Sequence, residues 1–149
     1  MKRTLFVSLT VLATAGASPW GPQQAPSRAE QAILEREGFL LQQNFPNPFN
    51  PETDIPFTLH EQMFEERPSA VVTMRIYNVL ASYVASPVAL GHPAGENVRL
   101  DQLEYTRSGL YLAHWDGRDQ SGREVASGMY IMQLTVNGRT QTKKVLVAK

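Results

Sequence analysis

The sequence predicts an all-β chain folded as an antiparallel sandwich of about seven short strands, and three observations carry that expectation. Apolar residues alternate with polar ones over short runs, as Val72, Met74 and Ile76 do against Thr73, Arg75 and Tyr77. Turn signals separate the runs, the strongest being Asn137-Gly138. Ten Gly and ten Pro in 149 residues favour turns and short strands over long helices.

The first residues read as a signal for export rather than as fold. Met1-Lys2-Arg3 is a short positive start, Thr4 to Thr14 is largely apolar, and Ala15-Gly16-Ala17 ends the stretch with small residues. That order matches a secretory signal peptide cut after Ala17. The apolar run falls short of the roughly 20 residues that a membrane-spanning helix needs. Cleavage leaves 132 residues and a net charge of −2.

Residues 18–38 read as a linker. Ser18 to Pro26 is a Pro/Gln-rich leader without periodicity. Ser27 and Glu30 have capping-box spacing, Ala29, Ala32 and Ile33 share a face, and Gly38 can end a turn. A short helix is expected there, with a polar tether as the alternative.

Residues 39–149 then form the sandwich domain. Phe39 to Gln42 is the first strand. Pro46, Pro48 and Pro51 forbid regular ladder pairing across Asn44 to Pro51, because each removes a backbone donor. Thr53 to Leu59 places Ile55, Phe57 and Leu59 on one face, Glu61 to Ser69 is a polar loop, and Ala70 to Tyr77 alternates. Ser82 to Val88 is expected as one strand, Gly91 to Glu96 as a turn region, and Val98 and Leu100 as a short edge pairing. Gly109 to Trp115 faces Tyr111, Ala113 and Trp115 one way, and Asp116 to Gly122 is a turn cluster. Met129 to Val136 shares a face through Tyr130, Met132, Leu134 and Val136. Asn137-Gly138 suits a type I′ hairpin, and Thr140 to Ala148 returns as the last strand.

Charge and composition narrow the function classes. Fourteen Lys+Arg balance 14 Asp+Glu, so no basic field invites nucleic acid or an acidic membrane. The absence of Cys excludes disulfides, thiolate nucleophiles and zinc–thiolate sites. His60, His92 and His114 lie in separate segments without ligand spacing, and His114 is expected to face solvent. Phe64 stands where a zinc-protease helix beginning at His60-Glu61 would need its second His. Glu65-Glu66 diverge in a loop. Arg118 at the third position of the Asp116 turn repels a cation, so Asp116 and Asp119 are read as acceptors of backbone hydrogen bonds, with Gly117 and Gly122 left-handed. Trp115 reads as a core plug. No catalytic constellation, cofactor or metal is expected.

Four stretches carry a family resemblance. The run Leu41-Gln42-Gln43-Asn44-Phe45-Pro46-Asn47-Pro48-Phe49-Asn50-Pro51, then Thr53, Ile55 and Phe57, comes first. Met74-Arg75-Ile76-Tyr77-Asn78-Val79 follows, then Trp115-Asp116-Gly117-Arg118-Asp119 with Gly122 and Val125-Ala126-Ser127-Gly128-Met129-Tyr130. Last come Leu134, Gly138, Lys143-Lys144-Val145-Leu146-Val147 and Lys149. In this order they resemble the type A C-terminal sorting domain of type IX secretion, and are similar to the immunoglobulin-like module of the flagellar hook-capping protein. The resemblance covers Phe39 to Lys149.

It implies an immunoglobulin-like fold and a non-catalytic role. Such a domain is read in the periplasm by an outer-membrane translocon or surface-attachment machinery, with the product at the cell surface or outside the cell and with processing near Asn44 to Pro51. The sorting residues carried over are Gly128, Tyr130, Leu134, Gly138, Lys144 and Lys149. Asn44, Pro46, Asn47, Pro48, Phe49, Asn50, Pro51, Trp115, Asp116 and Gly117 carry over as structural motif positions. The final strand is expected to be exposed, with its lysines on one face, open to strand addition.

The chain also departs from the pattern. Ala81 stands where the family has Gly, so that turn is expected to avoid positive φ. The segments His60 to Ser69 and Gly91 to Arg107 are long, and only Ser18 to Gly38 separate the signal from the module. That short architecture favours the alternative, a free-standing exported immunoglobulin-like structural or adhesive module.

Overall fold

A computed structural model of the chain describes residues 25–149; the expected signal peptide and most of the leader lie outside them. The chain opens with helix α1 (Arg28–Glu37). Ten strands follow: β1 (Phe39–Leu41), β2 (Thr53–Leu59), β3 (Ala70–Asn78), β4 (Tyr83–Ala85), β5 (Val88–Ala89), β6 (Val98–Arg99), β7 (Leu103–Tyr105), β8 (Gly109–Trp115), β9 (Gly128–Val136) and β10 (Arg139–Val147). One sheet runs β1-β2-β8-β5-β6; the other runs β10-β9-β3-β4, with β7 also paired to β3. All named strand pairs are antiparallel, and the two sheets make the all-β sandwich that the alternation predicts.

The core follows the period-two faces. Ile55, Phe57 and Leu59 from β2, Val72, Met74 and Ile76 from β3, Ala113 and Trp115 from β8, and Met132, Leu134 and Val136 from β9 are all buried in one cluster. Asn137 and Gly138 take φ 49° and 84°, the type I′ geometry expected for that hairpin.

At α1 the expected helix forms. Ser27 and Glu30 form the reciprocal capping box, and Gly38 ends the helix in the left-handed region with its N–H on the Leu34 carbonyl. The inward face differs from the expected one. Ala29 and Ala32 are exposed, while Glu30, Ile33, Leu34 and Glu37 are partly buried. The helix is tied to the sandwich, for the Gln62 side chain donates to the Glu35 carbonyl at 3.0 Å and Gln141 donates to the Glu37 carboxylate at 2.9 Å.

Several strand expectations need correction. Ten strands replace about seven, because three pairings are too short to show a period. The expected strand Ser82 to Val88 is two strands in different sheets, β4 pairing with β3 and β5 with β8. The chain changes sheets at Ser86-Pro87, where proline has no N–H to continue the first ladder. β7 falls inside what reads as a loop and pairs with Ala70 to Val72. Leu100 lies outside β6 yet is fully buried and joins the two sheets, donating its N–H to the Pro87 carbonyl and accepting the Met74 N–H. The polar loop Glu61 to Ser69 contains a 3₁₀ turn, Glu61–Phe64, whose Met63 and Phe64 pack on the core. Ala81 does not avoid positive φ; it sits at 60°, with Asn78 accepting the Leu80 and Ser82 N–H groups around it.

Candidate functional site: the covered edge

Three of the motif stretches meet at one flank of the sandwich. Within the proline-rich run, Asn44 is buried and donates to the Pro46 carbonyl and to the Thr53 hydroxyl, each at 3.0 Å. Thr53 in turn donates to the Pro46 carbonyl at 2.9 Å, so the two buried polar groups of this turn satisfy each other. The prolines prevent a ladder, as expected. Only two isolated bridges interrupt the run, Phe45 with Asp54 and Phe49 with Val147. The peptide bonds preceding Pro46, Pro48 and Pro51 are cis.

Phe49 anchors this run. It is 1% exposed and packs on Trp115 with ring centroids 5.2 Å apart; Trp115 in turn meets Tyr130 at 5.7 Å. Trp115 donates its indole N–H to the Arg118 carbonyl at 3.0 Å, which fixes the plug to its own turn. In that turn Asp116 accepts the Arg118 N–H, and Asp119 accepts those of Ser121 and Arg123. Gly117 has φ 70°, and a Cβ there would collide with the Pro51 carbonyl oxygen and touch the Phe49 ring. Tyr130 is half-buried with its hydroxyl donating to the Ala126 carbonyl at 2.8 Å, and burial raises its pKa.

The same run lies along the outer edge of β10. Gln43 donates its side-chain amide to the Lys144 carbonyl at 2.9 Å. The Leu146 N–H donates to the Asn47 side-chain oxygen at 3.1 Å. Phe49 donates its N–H to the Leu146 carbonyl and accepts that of Ala148, at 3.0 and 3.1 Å. The final strand is thus the last in its sheet, but from Lys144 to Ala148 its edge is occupied rather than open.

A second device closes the flank one turn of pleat away. Gln141 accepts the Leu41 N–H at 2.8 Å and donates to the Phe39 carbonyl at 2.8 Å. Hydrogen bonds, first from Gln141 and then from Arg36, hold the Glu37 carboxyl below the usual carboxylate range. Gln141 was not among the motif positions. Its signal in the sequence is a polar residue at the register of the buried Val145 and Val147.

The six sorting candidates do not converge. Gly128 begins β9 and Gly138 lies beyond its other end, which at strand rise places them about 30 Å apart. Leu134 is fully buried between them. Lys144 is exposed, and Lys149 lies 3.5 Å from Glu124 and donates its backbone N–H to the Ser127 hydroxyl. The lysines do not share a face, because Lys143 and Lys144 are successive and their side chains point to opposite sides of the sheet. Asn50, Pro46 and Pro48 are exposed. Residues 44–51 are part of the folded flank, not a hinge between units.

The terminal hairpin has a charge character of its own. Residues 128–149 hold Arg139, Lys143, Lys144 and Lys149 and no acidic side chain, in a chain whose overall charge is zero. The histidines are dispersed. His92 accepts the Ala94 N–H and bonds to the Glu104 carbonyl; His60 accepts the Gln62 N–H. His114 does not face solvent freely. It is bound by Asp54 at 2.7 Å and Glu52 at 3.3 Å on the outer face of its sheet. Among the described residues, no group of three or more His, Asp or Glu is arranged to hold a metal ion, and no helix is long and apolar enough to cross a membrane.

Fold and flank together define a two-sheet β-sandwich module with one sheet edge covered by its own proline-rich segment. No protein-family model matches the chain, and no curated protein matches it. Among solved structures, dimeric latent PorU from Porphyromonas gingivalis is similar over 74% of this chain and 9% of that one, with 19% identity and a TM-score of 0.48. The chain therefore spans a small part of that protein's length.

Proposed function

We propose that the chain is a non-catalytic sorting and surface-attachment domain, exported to the periplasm and carried across the outer membrane by a type IX-like system. One observation supports this reading above others: the Asn/Pro/Phe run, the tryptophan turn and the lysine-bearing final strand, which carry the sequence resemblance separately, pack on one another. Phe49 touches Trp115 and bridges to Val147, joining three segments far apart in the chain. The basic terminal hairpin, without acidic side chains and at a sheet edge, suits recognition by a protein partner, such as a translocon, through added strand and charge.

The test is a fractionation. A fluorescent reporter is inserted between residues 24 and 25, ahead of α1, so that the Gly38 cap and the Gln141 contacts stay intact. The fusion is expressed in the native host and assayed in periplasm, surface and medium. Reporter at the surface or in the medium, lost in a Lys144→Ala/Lys149→Ala control, is the expected result. Intact reporter held in the periplasm would overturn the reading and leave a resident immunoglobulin-like structural or adhesive module.

A further inference from the structure

We propose that residues 43–48 are a releasable cover over the outer edge of β10, and that the occupant admitted in their place is an extended acidic segment of a partner protein. This rests on the sorting reading and adds to it how the final strand becomes readable.

The cover is a poor strand in a strand's position. Of the four hydrogen bonds it and Phe49 make to Lys144, Leu146 and Ala148, two come from the side-chain amides of Gln43 and Asn47. At the Lys144 carbonyl a donor is needed, and Pro46 and Pro48 have no N–H to give. A continuous strand would replace both amide contacts with ladder bonds and extend the pairing to Thr142 and Thr140, whose peptide groups share the outward register of Lys144 and Leu146. The cover is seated by its ends and held between them by hydrogen bonds to Asp54, Asn44 and Thr53 rather than by apolar packing. Phe49 is 1% exposed, Asn44 is 3% exposed, and Phe45 between them is 60% exposed despite being aromatic. Lifting residues 45–48 gives up the Phe45–Asp54 backbone pair and the Asn44 and Thr53 bonds to the Pro46 carbonyl, but little buried apolar surface, while Phe49 stays seated against Trp115.

Charge selects the occupant. β10 and its continuation carry Arg139, Lys143, Lys144 and Lys149 with no acidic side chain, Lys149 being paired with Glu124. Among the described residues Lys144, beside the cover, has no ion-pair partner. Of these cations, Lys144 stands on the outer face, so a segment with carboxylates at alternate positions would bring one beside it while the backbone extends the sheet, and the other cations add a positive field. A second copy of this chain would bring the same positive hairpin to the edge and be repelled.

The test uses the full chain, a Gln43→Ala/Asn47→Ala variant, and a nine-residue probe peptide alternating threonine or valine with glutamate. Affinity is measured by calorimetry at two salt concentrations, with amide exchange at Leu146 followed by NMR. The variant is expected to bind the probe about tenfold more tightly than the unaltered chain, the scale of two lost covering hydrogen bonds. Its Leu146 N–H should exchange faster when free and be protected again by the probe. A glutamine-for-glutamate probe, or Lys144→Glu in the same background, should weaken binding, and added salt should do so too. Equal affinity in variant and unaltered chain, or unprotected Leu146, overturns the cover. Concentration-dependent self-association of the variant without probe binding overturns the acidic partner in favour of a second copy. If the double variant fails to fold by circular dichroism, Asn47→Ala alone gives the same comparison at smaller amplitude. The reporter assay separates the two readings. Surface delivery without probe binding overturns the cover and spares the sorting role; probe binding with a periplasmic reporter does the reverse.

Discussion

Gln141 on β10 accepts the backbone N–H of Leu41 on β1 at 2.8 Å, a bond between the edge strands of two different sheets. The same amide donates to the Phe39 carbonyl, so one side chain does for β1 what a neighbouring strand's peptide group would do. Gln141→Leu keeps the volume but leaves that N–H and that carbonyl without partners. It should lower unfolding free energy by about 2–3 kcal/mol in a urea titration, and Gln141→Glu should cost no less, because its carboxylate keeps the acceptor for Leu41 but faces the Glu37 carboxylate and the Phe39 carbonyl oxygen. An unchanged midpoint for Gln141→Leu would show that the clasp contributes nothing.

Tyr105 is 4% exposed and its hydroxyl has no hydrogen-bond partner among the described residues. The ring is well placed, with Tyr111 at 4.5 Å, His92 at 4.8 Å and Phe57 at 5.7 Å. Tyr105→Phe keeps those contacts and removes an unpaired polar atom. It should raise stability by about 1 kcal/mol, read as an upward shift in thermal midpoint.

Alkaline pH should unfold the domain through its tyrosines. Burial raises the pKa of Tyr105, Tyr111 and Tyr130, Tyr105 most. A folded pKa above the unfolded one means the neutral form is favoured by folding. That stability is complete below the unfolded value of about pH 10 and is lost as pH rises toward the folded values. Urea midpoints should be flat from pH 8 to 9.5 in their tyrosine contribution and fall above 10, less steeply in Tyr105→Phe. Identical slopes in the two proteins would contradict the assignment.

Ala81 at φ 60° bears a Cβ where the left-handed conformation disfavours one. Ala81→Gly removes a cost of about 1–2 kcal/mol and gives back part of it as unfolded-state entropy. The net gain should be about 0.5 kcal/mol, visible as a small rise in denaturation midpoint with an unchanged slope. A loss of stability would mean that the turn gains nothing from glycine.

Gly117→Ala should act in the opposite sense. The new Cβ meets the Pro51 carbonyl oxygen and the Phe49 ring at φ 70°, and both are held by the flank. About 2–4 kcal/mol of destabilisation is expected, together with faster exchange at the Ala148 N–H that Phe49 accepts. A near-neutral substitution would mean that the proline-rich run is looser than its packing on Trp115 implies.

Local order in the sequence determined what a run of residues can declare by itself. β2, β3, β8, β9 and β10 were legible because each is long enough to repeat the two-residue alternation. The capping box at Ser27, the Asn137-Gly138 hairpin and the Asp116 turn depend on residues a few positions apart. The motif positions were legible as a set, though not what they touch. Tertiary structure alone decided the rest. β5 and β7 have two and three residues, too few to show a period, and their partners are chosen by which longer strands stand beside them. The expected open, one-faced lysine edge became a covered one, because whether β10 has a free edge depends on where residues 43–49 return. Gln141 gave only the weak signal of a polar residue at an inward position. Its partners lie at Leu41 and Phe39, and only the stacking of one sheet on the other brings them within hydrogen-bond reach.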